Sequence, residues 1–235
     1  PIGNFVPAIY ALDFPFLFAG YDQAHAVLDG PIGQGLLEEF QDHGLVGLAW
    51  GENGFRNVTN NIRPINVPED LEGLKLRTME NQVHIAAFEA AGANPTPMSW
   101  TEVLTSLAQG TIDGQENPIP VLVANNMWEI QEHVTLTQHV YSPAVVVMSE
   151  SRWDGLTEEQ QGWFIAAGQA AAAATRATVA ENEANGVALL RENGMQVIES
   201  VDSAAFAAAV APAYAQFAEQ MGVADLIADI QAAQQ

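Results

Sequence analysis

The run Gly73-Leu74-Lys75-Leu76-Arg77-Thr78, set inside the longer stretch from Pro68 to Asn117, decides how this chain is read. Leu74 and Leu76 alternate with Lys75 and Arg77, the period of a strand with one apolar face. The chain has only seven basic side chains against 29 acidic ones, so an arginine ending a buried strand calls for a reason. A guanidinium suits a carboxylate because its planar fork donates two parallel hydrogen bonds. Arg77 is therefore a candidate ligand anchor, and a structural ion pair with one of the many Asp or Glu residues is the alternative reading of the strand alone.

Downstream, Asn81 is placed to cap a helix that carries Ile85 and Phe88 on one face and stops at Gly92. Pro95 and Pro97 force the run Ala93 to Trp100 to be extended. Thr101 to Gln109 reads as a helix buried along Val103, Leu104 and Leu107. Thr111 to Asp113 reads as a brief strand leading into Gly114, Gln115, Glu116, Asn117 and Pro118. The order strand, helix, extended run, helix, strand is an α/β core, with polar groups delivered at its strand ends.

Upstream, Ile9 to Phe14 is strand-like, and helices are expected from Asp22 to Leu28 and from Pro31 to Phe40, the second closed by Gly44. Leu45 to Trp50 is continuously apolar, as a strand covered on both faces is. Gly51 to Arg56 reads as a Gly-rich turn past that strand, where open α/β sheets place ligands, which makes Arg56 a second candidate. Asn57 to Asn66 reads as a crossover between domains. Beyond Asn117, Val121 to Ile130 is helical and Thr135 to Met148 is a long β stretch interrupted by Pro143. A capping box at Thr157 starts an alanine-rich helix that reaches Asn193, roughly 54 Å long, with glycines at 162, 168 and 186 that weaken it. A strand at Met195 to Glu199, a helix at Ser203 to Gln220 divided or kinked by Pro212, and a last helix at Val223 to Ala233 complete the chain.

Composition narrows the function. The 235 residues, 49% of them hydrophobic, suffice for a large core. A net charge of −22 argues against nucleic acid, since replacing phosphate counterions needs Lys and Arg, and it opposes anionic membrane surfaces too. Any acid-binding site here must make its own local positive potential. The absence of cysteine excludes disulfides and thiolate chemistry, and no apolar run approaches the ~20 residues of a membrane span. The histidines at 25, 43, 84, 133 and 139 never fall at metal-binding spacing, and no nucleophile elbow, P-loop or dinucleotide fingerprint occurs. No metal or cofactor is expected.

Seven blocks in order, DFPFLF (13–18), GENGFR (51–56), RPINVPEDLEGLKLR (63–77), GANPTPMSW (92–100), LAQGTIDGQENP (107–118), WEIQEHVTLTQHVYSP (128–143) and LTEEQQ (156–161), resemble the solute-binding subunit of TRAP transporters, the DctP type. The resemblance implies a periplasmic binding protein whose two interwoven α/β domains, with a long helix spanning both, close on a small organic acid and hand it to a TRAP membrane permease. It implies that Arg77 grips the carboxylate and that Asn117 reaches the same group. It maps the family's turn arginine onto Arg56 and its cleft aromatic onto Trp100. Domain I is expected at 1–54 plus 143–182 and domain II at 55–142 plus 183–235. Family members carry about two further β-α units upstream of the segment that matches Pro1, so the chain is expected to start inside domain I.

Each candidate has a plainer reading. Arg56 suits a solvated turn, Trp100 suits core filling, and Asn81 and His84, offered as contacts to ligand hydroxyls, suit a helix cap and a helix surface. Glu80 is read as surface. An α/β enzyme acting on organic acids through Asp113, Glu116 or His139 is the rival from another class, and an extracytoplasmic sensor of organic acids is a third reading. Two arginines permit a dicarboxylate. One arginine with Trp100 and amides fits a sugar acid or hydroxy acid, and the polar groups near the site favour the latter.

Overall fold

The computed structural model describes residues 1–234. Two long antiparallel strands form its axis: β1 (Leu45–Asn60) and β5 (His133–Ser149) pair from Leu45↔Ser149 to Asn60↔His133. Around them β2 (Lys75–Thr78), β3 (Asn94–Pro97), β4 (Gly114–Pro118) and β6 (Gln196–Ile198) complete one mixed sheet in the order β3-β2-β4-β1-β5-β6. Of the short strands only β4 pairs with β1 itself. β4 pairs with residues 56–60, β2 lies parallel to β4 and β3, and β6 lies parallel to the start of β5.

Gly51 to Arg56 is thus the middle of β1 and not a turn. Its glycines and polar side chains look like turn chemistry, yet Gly51, Glu52, Gly54, Phe55 and Arg56 pair in register with β5, and the Glu52 and Phe55 N–H groups donate to Thr175 Oγ1 and the Tyr21 hydroxyl. Register shifts at Glu52/Gly54 and Arg56/Val58 bend the strand, Gly54 has φ +114, and Pro143 lies opposite Glu52, next to the first shift. Other expectations change too, among them the crossover expected at Asn57 to Asn66, whose first four residues belong to β1. Pro7–Asp13 is a 3-10 helix, the strand expected at 111–113 begins at Gly114, and the helix expected at 121–130 is α5 (Ile119–Ala124) followed by a 3-10 turn.

The helices α1 (Tyr21–Asp29) and α2 (Pro31–Glu38) cover the first half of β1; α3 (Gln82–Ala90) and α4 (Trp100–Ala108) connect β2, β3 and β4. After the single-turn α6 (Glu150–Trp153), the helix α7 (Glu158–Glu192) begins at Thr157, whose hydroxyl accepts from Gln160 N while the Gln160 side chain accepts from Thr157 N. Its glycines are points of close approach. A Cβ at Gly168 would meet Leu48 Cβ at 3.0 Å, and one at Gly186 would meet Ile119 Cγ2 at 2.4 Å. The helix so lies against β1 at one end and α5 at the other. Pro212 sits inside α8 (Ser203–Gln220) without dividing it, and α9 (Ala224–Ala232) ends the fold.

Three apolar clusters result. One gathers the aromatic N-terminal segment, α1, α2, Trp50, Phe55 and the C-terminal Val223, Ile227 and Ile230. A second joins β2 and α3 to Phe206 and Val210, and a third joins α4, α5, Met127, Leu190 and Met195.

Candidate functional site

The seven basic side chains are used unequally. Arg56 on β1 is 1% exposed and meets Glu116 of β4, itself fully buried. Arg56 Nε donates to Glu116 Oε2 at 2.5 Å and Nη2 to Oε1 at 2.9 Å, with Asn117 Oδ1 at 3.2 Å from the same Nη2. Arg176 pairs with Asp29 and Arg191 with Glu199 nearer the surface. Arg77, at the end of β2 and 4% exposed, has no carboxylate partner among the described residues. Its Nε and Nη2 donate to one carbonyl, Met98 O, at 3.1 and 2.8 Å. Its Cζ lies 5.8 Å from the ring centroid of Trp100, the first residue of α4. Burial pulls the Arg77 guanidinium below its ordinary pKa; Glu116 and Glu80 oppose the shift and Arg56 adds to it.

The local sequence explains this placement. Leu74 and Leu76 fill the cluster against α3, so alternation turns Lys75 and Arg77 to the opposite face. Parallel pairing then sets Arg77 beside Gln115 on one side and Thr96 on the other. The extended run of β3 carries the chain to Met98 and Trp100, which fix the guanidinium from below.

Behind Arg77 lies a buried chain of polar side chains. Asn117 Nδ2 donates to Gln115 Oε1 at 2.5 Å, Gln115 Nε2 donates to Thr59 Oγ1 at 2.9 Å, and Thr59 Oγ1 donates to Gln131 Oε1 at 2.9 Å. At the other end His139 Nε2 lies 3.1 Å from Glu116 Oε2, and His139 Nδ1 lies 2.7 Å from Thr137 Oγ1. An ionised Glu116 only accepts, so His139 Nε2 carries the proton and Thr137 donates to Nδ1. Burial alone would raise the Glu116 carboxyl, but Arg56 and His139 together hold it well below the usual carboxylate range. A carboxylate so committed is a poor proton acceptor, which weighs against Glu116 and His139 as an acid–base pair.

The other candidates fall into place around this centre. Asn117 is 6% exposed, and its amide is shared between Arg56 and Gln115. Arg56 is not a solvated turn residue; its fork is filled by Glu116. Trp100 is half-buried beneath Arg77. Asn81 caps α3 by accepting from Val83 N and His84 N, and its Nδ2 donates to Asp13 Oδ2 at 2.7 Å. His84 is 1% exposed with both ring nitrogens unpartnered, and burial lowers its pKa to about 3. The structure therefore brings Arg77, Trp100, Arg56 and Asn117 to one end of the β2-β4-β1 array and places Asn81 and His84 behind it, against Asp13. The sequence reading marked none of Gln115, Thr59, Gln131, Thr137 and Asp13. Only the alternation of polar residues along 113–117 and 131–139 hints at them.

The sequence profile of the bacterial extracellular solute-binding proteins of family 7, the DctP family, matches residues 1–220. The chain belongs to this family. Among curated relatives, it is 52% identical over 226 residues to a solute-binding protein of Verminephrobacter eiseniae, covering 96% of this chain and 68% of that one. It is 42% identical over 204 residues to the 2,3-diketo-L-gulonate-binding periplasmic protein YiaO of Escherichia coli, covering 87% of this chain and 62% of the relative. The chain thus spans roughly two thirds of the length of these family members. A TRAP periplasmic solute-binding protein from Polaromonas sp. JS666, crystallised with D-erythronate, superposes with a TM-score of 0.96 at 52% identity, over 99% of this chain and 76% of that one. The two-domain α/β architecture with its long helix is that of these solute-binding proteins. No helix among the described residues is long and apolar enough to cross a membrane.

Proposed function

We propose that this DctP-family chain captures a small organic acid anion by its carboxylate, with Arg77 as the anchor, and delivers it to a TRAP membrane permease from the periplasm. The observation that carries the reading is the contrast between two buried arginines. Arg56 is matched by Glu116, whereas Arg77 is desolvated and donates only to a carbonyl. A buried unpaired cation costs several kcal/mol, and in a chain with 29 acidic residues a partner would have been easy to supply. A ligand carboxylate supplies it instead. Asn117 stands on the adjoining strand as a donor and acceptor, Arg56 and Gln115 set its orientation, and Trp100 offers a flat wall to the ligand's carbon skeleton.

With one guanidinium free and the other filled, a single carboxylate suits the site better than two. D-Erythronate and 2,3-diketo-L-gulonate, bound by relatives, are both polyhydroxylated monocarboxylates, which supports a sugar acid or hydroxy acid here. Binding would draw together two lobes, near residues 1–54 with 143–182 and 55–142 with 183–235, because contacts made only when closed favour closure. Capture without turnover needs neither a metal nor a cofactor. The test is a melting curve with a panel of acids, D-erythronate, D-galacturonate, D-glucuronate and succinate, against uncharged sugars. An acid at 100 times its Kd stabilises the fold by about 2.7 kcal/mol. A shift with some hydroxy acids and none with sugars supports the reading, and equal shifts with acids and sugars would overturn it.

A further inference from the structure

The buried line of amides and a hydroxyl that ends at Asn117 has a direction, because the groups at its two ends have fixed polarity. Thr59 stands opposite Gln115 across β1 and β4, Arg77 pairs with Gln115 from β2, and Asn117 follows two residues on, on the same face. Thr59, Gln115 and Gln131 are buried. At one end Gln131 Nε2 donates to two carbonyls, Ile130 O at 3.2 Å and Asp113 O at 3.4 Å. A carbonyl only accepts, so Gln131 turns Oε1 to Thr59. The single proton of the Thr59 hydroxyl goes to that Oε1 at 2.9 Å, nearer than Gln115 O at 3.5 Å, and the hydroxyl oxygen accepts from Gln115 Nε2. Gln115 therefore turns Oε1 to Asn117, which answers with Nδ2. At the other end Arg56 Nη2, which only donates, meets Asn117 Oδ1 at 3.2 Å. An amide has nearly the same shape either way round, and here both ends of the line select the same way.

We propose that Gln115, Thr59 and Gln131 are positioning residues, which hold the Asn117 amide so that it meets the carboxylate on Arg77 with an N–H and not with its oxygen. The inference rests on the reading of Arg77 as the carboxylate anchor. Asn117 Nδ2 carries two N–H groups and gives one to Gln115, so the second has no partner among the described residues, whereas Oδ1 is turned to Arg56. Asn57, opposite Asn117 on β1, does not compete: its Nδ2 donates to Phe55 O and its Oδ1 accepts from Gln138 N. Turning the Asn117 amide over would set Oδ1 against Gln115 Oε1 and Nδ2 against Arg56, two contacts of like polarity at once. A carboxylate only accepts, so the fixed N–H attracts it where an amide oxygen would repel it. Arg77 and Asn117 then present donors alone. A carboxamide or a protonated acid brings a donor of its own and is rejected, so the arrangement selects the ionised carboxylate. Because the amide is already held by its neighbours, no further ordering of it is needed when the ligand arrives.

The experiment is calorimetry of D-erythronate binding to the full chain and to Thr59→Val, Thr59→Ser, Asn117→Ala and the double variant Thr59→Val with Asn117→Ala. Valine keeps the shape of threonine and removes the hydroxyl, which frees Gln115 and with it Asn117 to turn over. Thr59→Val should weaken Kd by about three- to tenfold, the worth of one ordinary hydrogen bond. Thr59→Ser keeps the hydroxyl and should stay within about twofold of the unchanged chain. Once Asn117 is alanine, Thr59→Val should change Kd no further, since its effect passes through that amide. A hydroxyl that only supports the fold would lower the melting temperature in both backgrounds and leave Kd level. An unaltered Kd in Thr59→Val overturns the inference and leaves the Arg77 reading standing. So does an effect of Thr59→Val that persists in full beside Asn117→Ala, or one that Thr59→Ser shares. Failure of every acid in the panel to bind the unchanged chain overturns the Arg77 reading first, and this inference with it. If Thr59→Val does not fold, Gln131→Met breaks the line one link further from the site and takes its place in the same cycle.

Discussion

Substituting Arg77 separates a ligand anchor from a scaffold cation, because the two roles give opposite patterns in stability and affinity. In the unliganded chain the guanidinium donates two bonds to Met98 O and meets no carboxylate. Arg77→Ala gives up those charge-assisted bonds, about 1.5–3 kcal/mol each, and at the same time removes a buried cation whose desolvation costs several kcal/mol, so the two roughly offset. The melting temperature without ligand should therefore stay close to level. Binding should suffer instead. Truncating one partner of a buried hydrogen-bonded charge pair costs about 2–5 kcal/mol, roughly 30- to 4,000-fold in Kd. Arg77→Lys keeps the charge and loses the fork, so at least one charge-assisted bond of about 1.5–3 kcal/mol goes, a loss of roughly 10- to 150-fold. Isothermal calorimetry with D-erythronate, beside melting curves without ligand, reads both quantities. A lysine variant within about threefold of the unchanged chain would refute bidentate recognition. An alanine variant that binds normally, or that loses as much stability as Arg56→Ala, would refute the anchor itself.

Arg56→Ala should lower stability by about 3–5 kcal/mol in chemical denaturation, since it leaves Glu116 buried and unpaired; replacing both by apolar residues of similar volume should recover most of the loss. Gly114→Ala should cost at least about 2 kcal/mol, because a Cβ there would sit 2.1 Å from Thr59 O across the β1–β4 pair, whereas Gly162→Ala, with nothing within 4 Å, should gain about 0.5–1 kcal/mol. The pH dependence of folding should show His84 and Asp13 cancelling. The His84 pKa is depressed from 6.5 to about 3, so its contribution is full above pH 6.5 and is lost as pH falls toward 3. The Asp13 pKa is raised from 3.8 to about 6, so its contribution is full below 3.8 and is lost as pH rises through 6. Between pH 4 and 6 the two slopes, each about 1.4 kcal/mol per unit, oppose each other. Relative to the unchanged chain, Asp13→Asn should lose stability on acidification across that window and His84→Gln should gain it; parallel curves for all three would show that neither group is perturbed.

Much of the path from sequence to fold rests on local signals. The Thr157 capping box fixes the start of α7, the alternation of Leu74 and Leu76 with Lys75 and Arg77 fixes β2 and its two faces, and Asn81 marks the start of α3 because its amide oxygen accepts from the first free N–H groups of the helix. The ordered blocks from DFPFLF to LTEEQQ carry the family, and with it the two-domain plan. Where local chemistry and long-range pairing disagree, the sequence misleads. Gly51, Asn53 and Gly54 read as a turn because glycine and asparagine favour turns, but β5 runs alongside, pairs with Gly51 and Gly54 and leaves Asn53 in the register shift between them.

The roles of the two arginines show where the division falls. Sequence alone determined that Arg77 and Arg56 are scarce cations at strand positions in an acidic chain, and that Asn117 and Trp100 accompany them. It could not say which guanidinium was free, because that depends on partners 60 residues away along the chain. The antiparallel register that sets Val58 opposite Glu116 brings Glu116 to Arg56 and leaves Arg77, on the far side of β4, facing only a carbonyl and an indole. Burial then turns these placements into chemistry: it makes the matched pair a fixed support, leaves the unmatched cation as the anchor proposed for an anion, and pushes the Asp13 carboxyl up to about 6. Charge and periodicity are written residue by residue, but desolvation is a property of the packed whole, and only the tertiary structure decided it.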